Sequence, residues 1–181
     1  MSDRELGKKQ TEGMELDPFL EAYEWTTKST LSVVEGSENP DFICARASGD
    51  IIGLEVTKVM SRRDIARWER ILDRKDEMGP YNMLMVIQAL VEQKEKARRD
   101  RYVVRVPQIM LVLQLVDGSL DVLAHLLGGL NDEFKDHGFA EMWLADYSAL
   151  EAYGDIELFG LFPEKWWGYH ARPWPDRKPY G

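Results

Sequence analysis

Two carboxylates in the stretch NPDFICARASGDIIGLEVTKV, residues 39–59, stand where a strand pair could bring them together. Asp41 opens the first apolar segment and Glu55 lies inside the second. Side chains alternate along a strand. Ile52, Leu54 and Val56 therefore share one side, and Gly53, Glu55 and Thr57 the other. The apolar triplet is expected to be the core face, leaving Glu55 on a face that is not simply buried. Register decides whether Asp41 joins it, because a one-residue slip sends every side chain to the opposite face. A loop of Ser48, Gly49 and Asp50 would pair Ala47 with Ile51 and set Asp41 opposite Thr57, diagonal to Glu55. A two-residue loop would separate the acids. The chemical reading thus requires an odd-length loop.

Acids crowded on one face repel, and a divalent cation between them removes the repulsion. Magnesium suits such a place, since it takes oxygen ligands, needs only one or two carboxylates and keeps several waters. An ion of that kind turns water into a nucleophile and stabilises charge building on a phosphate. Gly53, on the same face, is expected to leave room for a substrate. The plain alternative is that Asp41 begins a turn and Glu55 faces solvent.

With its PDF, short turn and GLEVT, the segment resembles the core motif of the PD-(D/E)XK superfamily, the restriction-endonuclease-like nucleases. The resemblance extends in outline from Met14 to Phe162, through the order helix, strand, acid-bearing hairpin, helix and later strands. It implies a mixed β-sheet core flanked by α-helices, nuclease activity, and Mg2+ or Mn2+ held by Asp41 and Glu55. The lysine that normally follows the second acid by two residues is absent, because Thr57 occupies its place. Lys58 is adjacent, but alternation sends it to the other face.

Some members of the superfamily carry that lysine on the following helix. Lys94 qualifies on separate grounds: it falls three residues after Val91, four after Leu90 and seven after Ile87. It therefore continues the apolar stripe of its helix, where a lysine must pair or snorkel. Asp41, Glu55 and Lys94 are accordingly the expected catalytic residues. The resemblance also implies a further metal-coordinating acid from the first helix or the strand before the hairpin. Glu35 is nearest in sequence, with Glu21 and Glu24 as the helical candidates.

The elements that must position these residues can be read from periodicity. Leu16, Phe19, Leu20 and Tyr23 have helical spacing, and STLSVVEG reads as a strand. Phe42 to Ala47 and Ile51 to Lys58 form the hairpin. Two amphipathic helices follow, one with Ile65, Trp68, Ile71 and Leu72 as its stripe, the other with Met83, Ile87, Leu90 and Val91. VPQIMLVLQLVDG is apolar almost throughout, as a strand buried on both faces would be. SLDVLAHLLGGLNDEFKDHG reads as a helix weakened at Gly128 and Gly129. FAEMWLADYS and GDIELFGLF read as further strands. The sum is an α/β sandwich with a mixed sheet.

The chain of 181 residues suits one domain, 14–162, with a polar leader over 1–13 and a Pro/Trp-rich arm over 163–181. No irregular arm with four prolines is expected to form a regular element. Without an apolar span, a secretory h-region or a second cysteine beside Cys44, a soluble cytoplasmic protein with no membrane contact is expected. The net charge of -9 argues against a generic nucleic-acid coat. Lys58 to Arg101 nevertheless carries twelve Lys/Arg against eight Asp/Glu, a basic middle that suits a phosphate backbone. Nucleic acid, DNA or RNA, is the expected partner, and a homodimer is compatible with the chain. His125 reads as a core histidine and His137 as a helix-end cation. No two histidines have zinc-ligand spacing. The tryptophans and tyrosines of the arm could stack on bases, but packing against the chain's own core is the favoured reading. The competing function is a catalytically inactive nuclease fold, or an unrelated acidic fold, that binds a protein partner, as an inhibitor or immunity protein does. It would leave Lys94 pointing away from the two acids.

Overall fold

The computed structural model describes residues 16–59, 80–102, 105–116, 120–148, 150 and 154–173. The leader and the expected helix around Ile65 and Trp68 lie outside the described residues. Helix α1 covers residues 16–27. Strands β1 (Leu31–Gly36), β2 (Phe42–Arg46) and β3 (Ile51–Val59) follow. Helix α2 (Pro80–Ala97) runs into a π-helical turn, Arg98–Tyr102, and then comes β4 (Ile109–Leu115). Helix α3 (Leu120–Leu127) precedes β5 (Glu141–Asp146), β6 (Glu157–Phe162) and β7 (Gly168–His170). The glycine pair ends α3 outright, and only a short 3-10 turn, Asn131–Phe134, follows it.

All seven strands form one mixed sheet in chain order. β1, β2 and β3 are an antiparallel meander; β3, β4 and β5 are parallel; β6 and β7 return antiparallel. The two parallel crossovers step the same way across the sheet, so right-handed connections put α2 and α3 on one face. The central β4 is buried at all seven positions, as its continuous apolar run requires.

Both faces of the sheet are covered. Ile87 and Val91 of α2 and Leu123 of α3 pack on Ile43, Leu111 and Leu113. On the other side Phe19 and Tyr23 of α1 pack on Leu54, Val112 and Trp143. The apolar triplet of β3 is therefore only one of two core faces. Glu55 does not stand at an open surface but under α2, 3% exposed. β4 and α2 supply apolar side chains to both of its flanks, and the sheet has no solvated side at that point.

The arm departs from the expectation of irregular chain. Residues 164–166 make a 3-10 turn and 168–170 form β7, paired with β6 through Leu158↔His170 and Phe159↔Tyr169. Trp166 packs on Trp143, and Trp167 packs edge-on to Phe159 and beside Phe134, so the two tryptophans straddle the sheet. Gly160 permits this: a Cβ there would lie 2.0 Å from the Trp166 carbonyl oxygen.

The face under α1 holds a buried polar network. Glu141 Oε1 accepts from Arg46 at 2.7 Å and from Tyr23 OH at 3.2 Å, and Oε2 accepts from the Trp143 indole N–H at 2.9 Å. Arg46 also donates to Tyr23 OH at 2.7 Å. Burial first, and then the Glu141 charge, push the Tyr23 phenol up to about 12. Burial alone pushes the Cys44 thiol up to about 11. Both groups are favoured in their protonated forms by folding. Their stabilisation is complete below the ordinary pKa and is lost as pH rises through the folded one. Stability should therefore fall between about pH 9 and 12, by roughly 1.4 kcal/mol per pH unit for each titrating group. Urea unfolding at pH 8 and pH 11 should show that fall, and Tyr23→Phe or Cys44→Ala should each make it shallower.

Candidate functional site

β2 stops pairing with β3 at Phe42↔Leu54, while β3 runs on to Val59 against β4 alone. Asp41 stands one step beyond that last pair, in the place opposite Glu55. The hairpin loop is odd, as the chemistry required, but its register differs from expectation by two residues. Arg46 N–H bonds Asp50 O at 2.9 Å and Ala45 pairs with Ile51, so the loop is Ala47, Ser48 and Gly49. Asp41 thus faces Glu55 directly and not Thr57. Its Oδ2 accepts the Val56 N–H at 2.8 Å, which satisfies a donor on the edge that β2 no longer covers.

Gly53 does not leave room for a substrate. A Cβ there would lie 2.5 Å from Pro40 Cγ and 2.6 Å from Ile109 Cδ1, so the missing side chain is already replaced by packing.

Lys94 reaches Glu55. Its Nζ lies 2.6 Å from Glu55 Oε1, with side-chain exposures of 21% and 4% for the two residues. The stripe places it there, since Ile87 and Val91 fix the rotation of α2 on the sheet. Lys58 is exposed and Thr57 half-buried, as alternation requires. Tyr102 is the functional neighbour that the sequence reading missed. Its OH donates to the same Oε1 at 2.9 Å. On a continuous α-helix, residues eight apart are roughly 80° out of line. The π-helical turn under-winds Arg98–Tyr102 and brings the tyrosine back beside Lys94. A signal did exist: Tyr102 falls eleven residues after Val91, about three turns on, and so extends the stripe.

Burial, and then the Glu55 charge, raise the Tyr102 phenol well above its ordinary range; the bond to Glu55 and the charge on Asp41 add to this. Tyr102 therefore remains a protonated donor across neutral pH. Glu55 Oε2 is buried and has no hydrogen-bond donor among the described residues.

Glu35 shares the face but not the cluster. A bulge between Val33 and Glu35 shifts the register so that Glu35 pairs with Ile43, turning it to the side of Glu55. There it is half-exposed and ion-paired with Arg105, which also donates to Ser37 Oγ at 2.8 Å. Glu21 and Glu24 are exposed on α1, which covers the opposite face, and are not brought to the site. His125 is exposed on α3, contrary to its reading as a core residue. His137 bonds Glu133 O at 3.1 Å, and His170 bonds Trp166 O at 2.9 Å.

Two neighbouring carboxylates with one buried, undonated oxygen fit a hard divalent cation. No group of three or more His, Cys, Asp or Glu placed to hold a metal occurs among the described residues. Asp41 and Glu55 are therefore the two residues that would hold such an ion. No helix among the described residues is long and apolar enough to cross a membrane. No protein-family model matches the chain, and no curated protein or solved structure does either.

Breaking a buried ion pair from one side leaves an uncompensated charge and costs about 3 kcal/mol or more. Lys94→Met should therefore destabilise the fold by about that amount at pH 7. Glu55→Gln should cost less, because the partly exposed lysine can turn to solvent. Urea unfolding of the two variants measures the asymmetry, and equal losses would contradict it.

Proposed function

We propose that this chain is a Mg2+- or Mn2+-dependent nuclease of the cytoplasm, hydrolysing phosphodiester bonds of DNA or RNA. Asp41 and Glu55 would hold the ion. The observation that carries this reading is the meeting of Lys94 Nζ with Glu55 beside Asp41, while Glu55 Oε2 is left without a donor. The meander β1–β3 followed by parallel β4 also supports the restriction-endonuclease-like resemblance.

A divalent ion bound there would lower the pKa of its water and offset charge on the phosphate. The chain's own groups do the rest. The Val56 N–H holds one Asp41 oxygen, so that carboxylate cannot swing freely. An ammonium carries three donors, and Lys94 spends one on Glu55. The others can orient a water or meet a phosphate oxygen. Cover by α2 keeps bulk water from Glu55 and strengthens every charge interaction there. Lys96, Arg99 and Arg101 are exposed around the end of α2 and could follow a phosphate backbone. The protein-binding alternative, in its unrelated-fold form, would have Lys94 point elsewhere, and the Lys94 contact with Glu55 supports the enzyme reading over that form.

The test is cleavage of single- and double-stranded DNA and RNA with Mg2+ or Mn2+. Wild-type protein should cleave at least one of them, and chelation should stop it. Asp41→Asn, Glu55→Gln and Lys94→Met should each lose about 100-fold or more. Full activity in the two acid variants would refute the assignment, as would a wild type inert on every substrate.

A further inference from the structure

We infer that Tyr102 is a positioning residue that, together with Lys94, locks Glu55 by Oε1 so that Oε2 is the oxygen offered to a divalent cation. This rests on the reading of Asp41 and Glu55 as the holders of the ion. The two donors on Oε1 come at 2.6 Å and 2.9 Å, one from a flexible lysine and one from a buried ring. Lys94 alone could follow the carboxylate through a rotation. A tyrosine has few internal rotations, and this one is buried in the same core cluster as Val91 and Leu111. It fixes the plane of the carboxylate. The buried Oε2 then has one orientation and no donor among the described residues. Residues that hold a metal ligand from behind are commonly worth a factor of 10–100 in affinity.

A matched control exists on the other face of the sheet. Tyr23 donates to Glu141 much as Tyr102 donates to Glu55, but both Glu141 oxygens are already satisfied. Mn2+ titration by calorimetry should compare wild type, Tyr102→Phe, Tyr23→Phe and Glu55→Gln. Phenylalanine keeps each ring in its apolar packing. The Mn2+-induced rise in Tm reads the same affinity where a variant is less stable. The expected result is loss of binding in Glu55→Gln, binding roughly 10- to 100-fold weaker in Tyr102→Phe, and no change in Tyr23→Phe. Wild-type affinity in Tyr102→Phe, with binding lost in Glu55→Gln, would overturn the inference and leave the metal reading intact. Equal weakening in Tyr23→Phe would overturn it too, by showing a general effect of lost packing. Failure of the wild type to bind Mn2+ would remove the metal reading and this inference with it.

Discussion

A carboxylate taken out of water costs several kcal/mol unless charge and donors meet it, and Glu55 imposes that demand on everything around it. Its place on β3 is fixed by the apolar side chains on either side of it in sequence, which must face α1. Alternation then drives the carboxylate under α2. The helix answers with a lysine at the one rotation that reaches the strand. Its last turn widens into a π-helix and supplies a tyrosine to the same oxygen. π-Turns are uncommon, and here the under-winding has an evident product.

The sheet carries two buried glutamates, Glu55 and Glu141, and they are satisfied differently. Glu141 receives three donors spread over both oxygens, with Arg46 as its counter-charge. It is a completed network, and its placing between α1 and the sheet gives it a structural role. Glu55 has a counter-charge as well, but both donors crowd onto one oxygen. Buried polar groups in native proteins are nearly always satisfied, so an exception calls for a cause. Asp41 bears on it, as a second acid in the place opposite Glu55 on the neighbouring strand. Under the proposed reading, a bound ion would meet the Glu55 oxygen that has no donor among the described residues.

Much of this arrangement was legible because it depends on two short periods. The twofold alternation of the strand put Glu55 and Thr57 together and sent Lys58 away. The helical period put Lys94 on the stripe with Ile87 and Val91. What could not be read were the places where those periods are interrupted. The bulge before Glu35 reverses its face, and nothing in STLSVVEG marks it. The stripe marks Tyr102 as core-facing, but the π-turn that sets it beside Lys94 is a rotation that an ideal helix would not make. The bare face of Gly53 is filled by Pro40 and Ile109, contacts made through tertiary packing and invisible in local sequence. The arm failed for a related reason. Its prolines argued against regular structure, yet Gly168–His170 needs only three residues to add an edge strand, and the tryptophans hold it there.

With threonine at position 57, the lysine that meets Glu55 comes from helix α2 and not from the strand. A strand lysine two residues from its acid is set in place by the pleat itself. A helix lysine is set by the rotation of the whole helix, and that is decided far from the acid, by how Ile87, Val91 and Met83 seat on Leu111 and Leu113. Close-packed interiors tolerate little slippage, so the core transmits its geometry to Nζ. The consequence is that core residues which never approach the acids belong to the site in an energetic sense. A substitution that lets α2 turn would separate Lys94 and Tyr102 from Glu55 at once, because both ride on the same helix and meet the same oxygen.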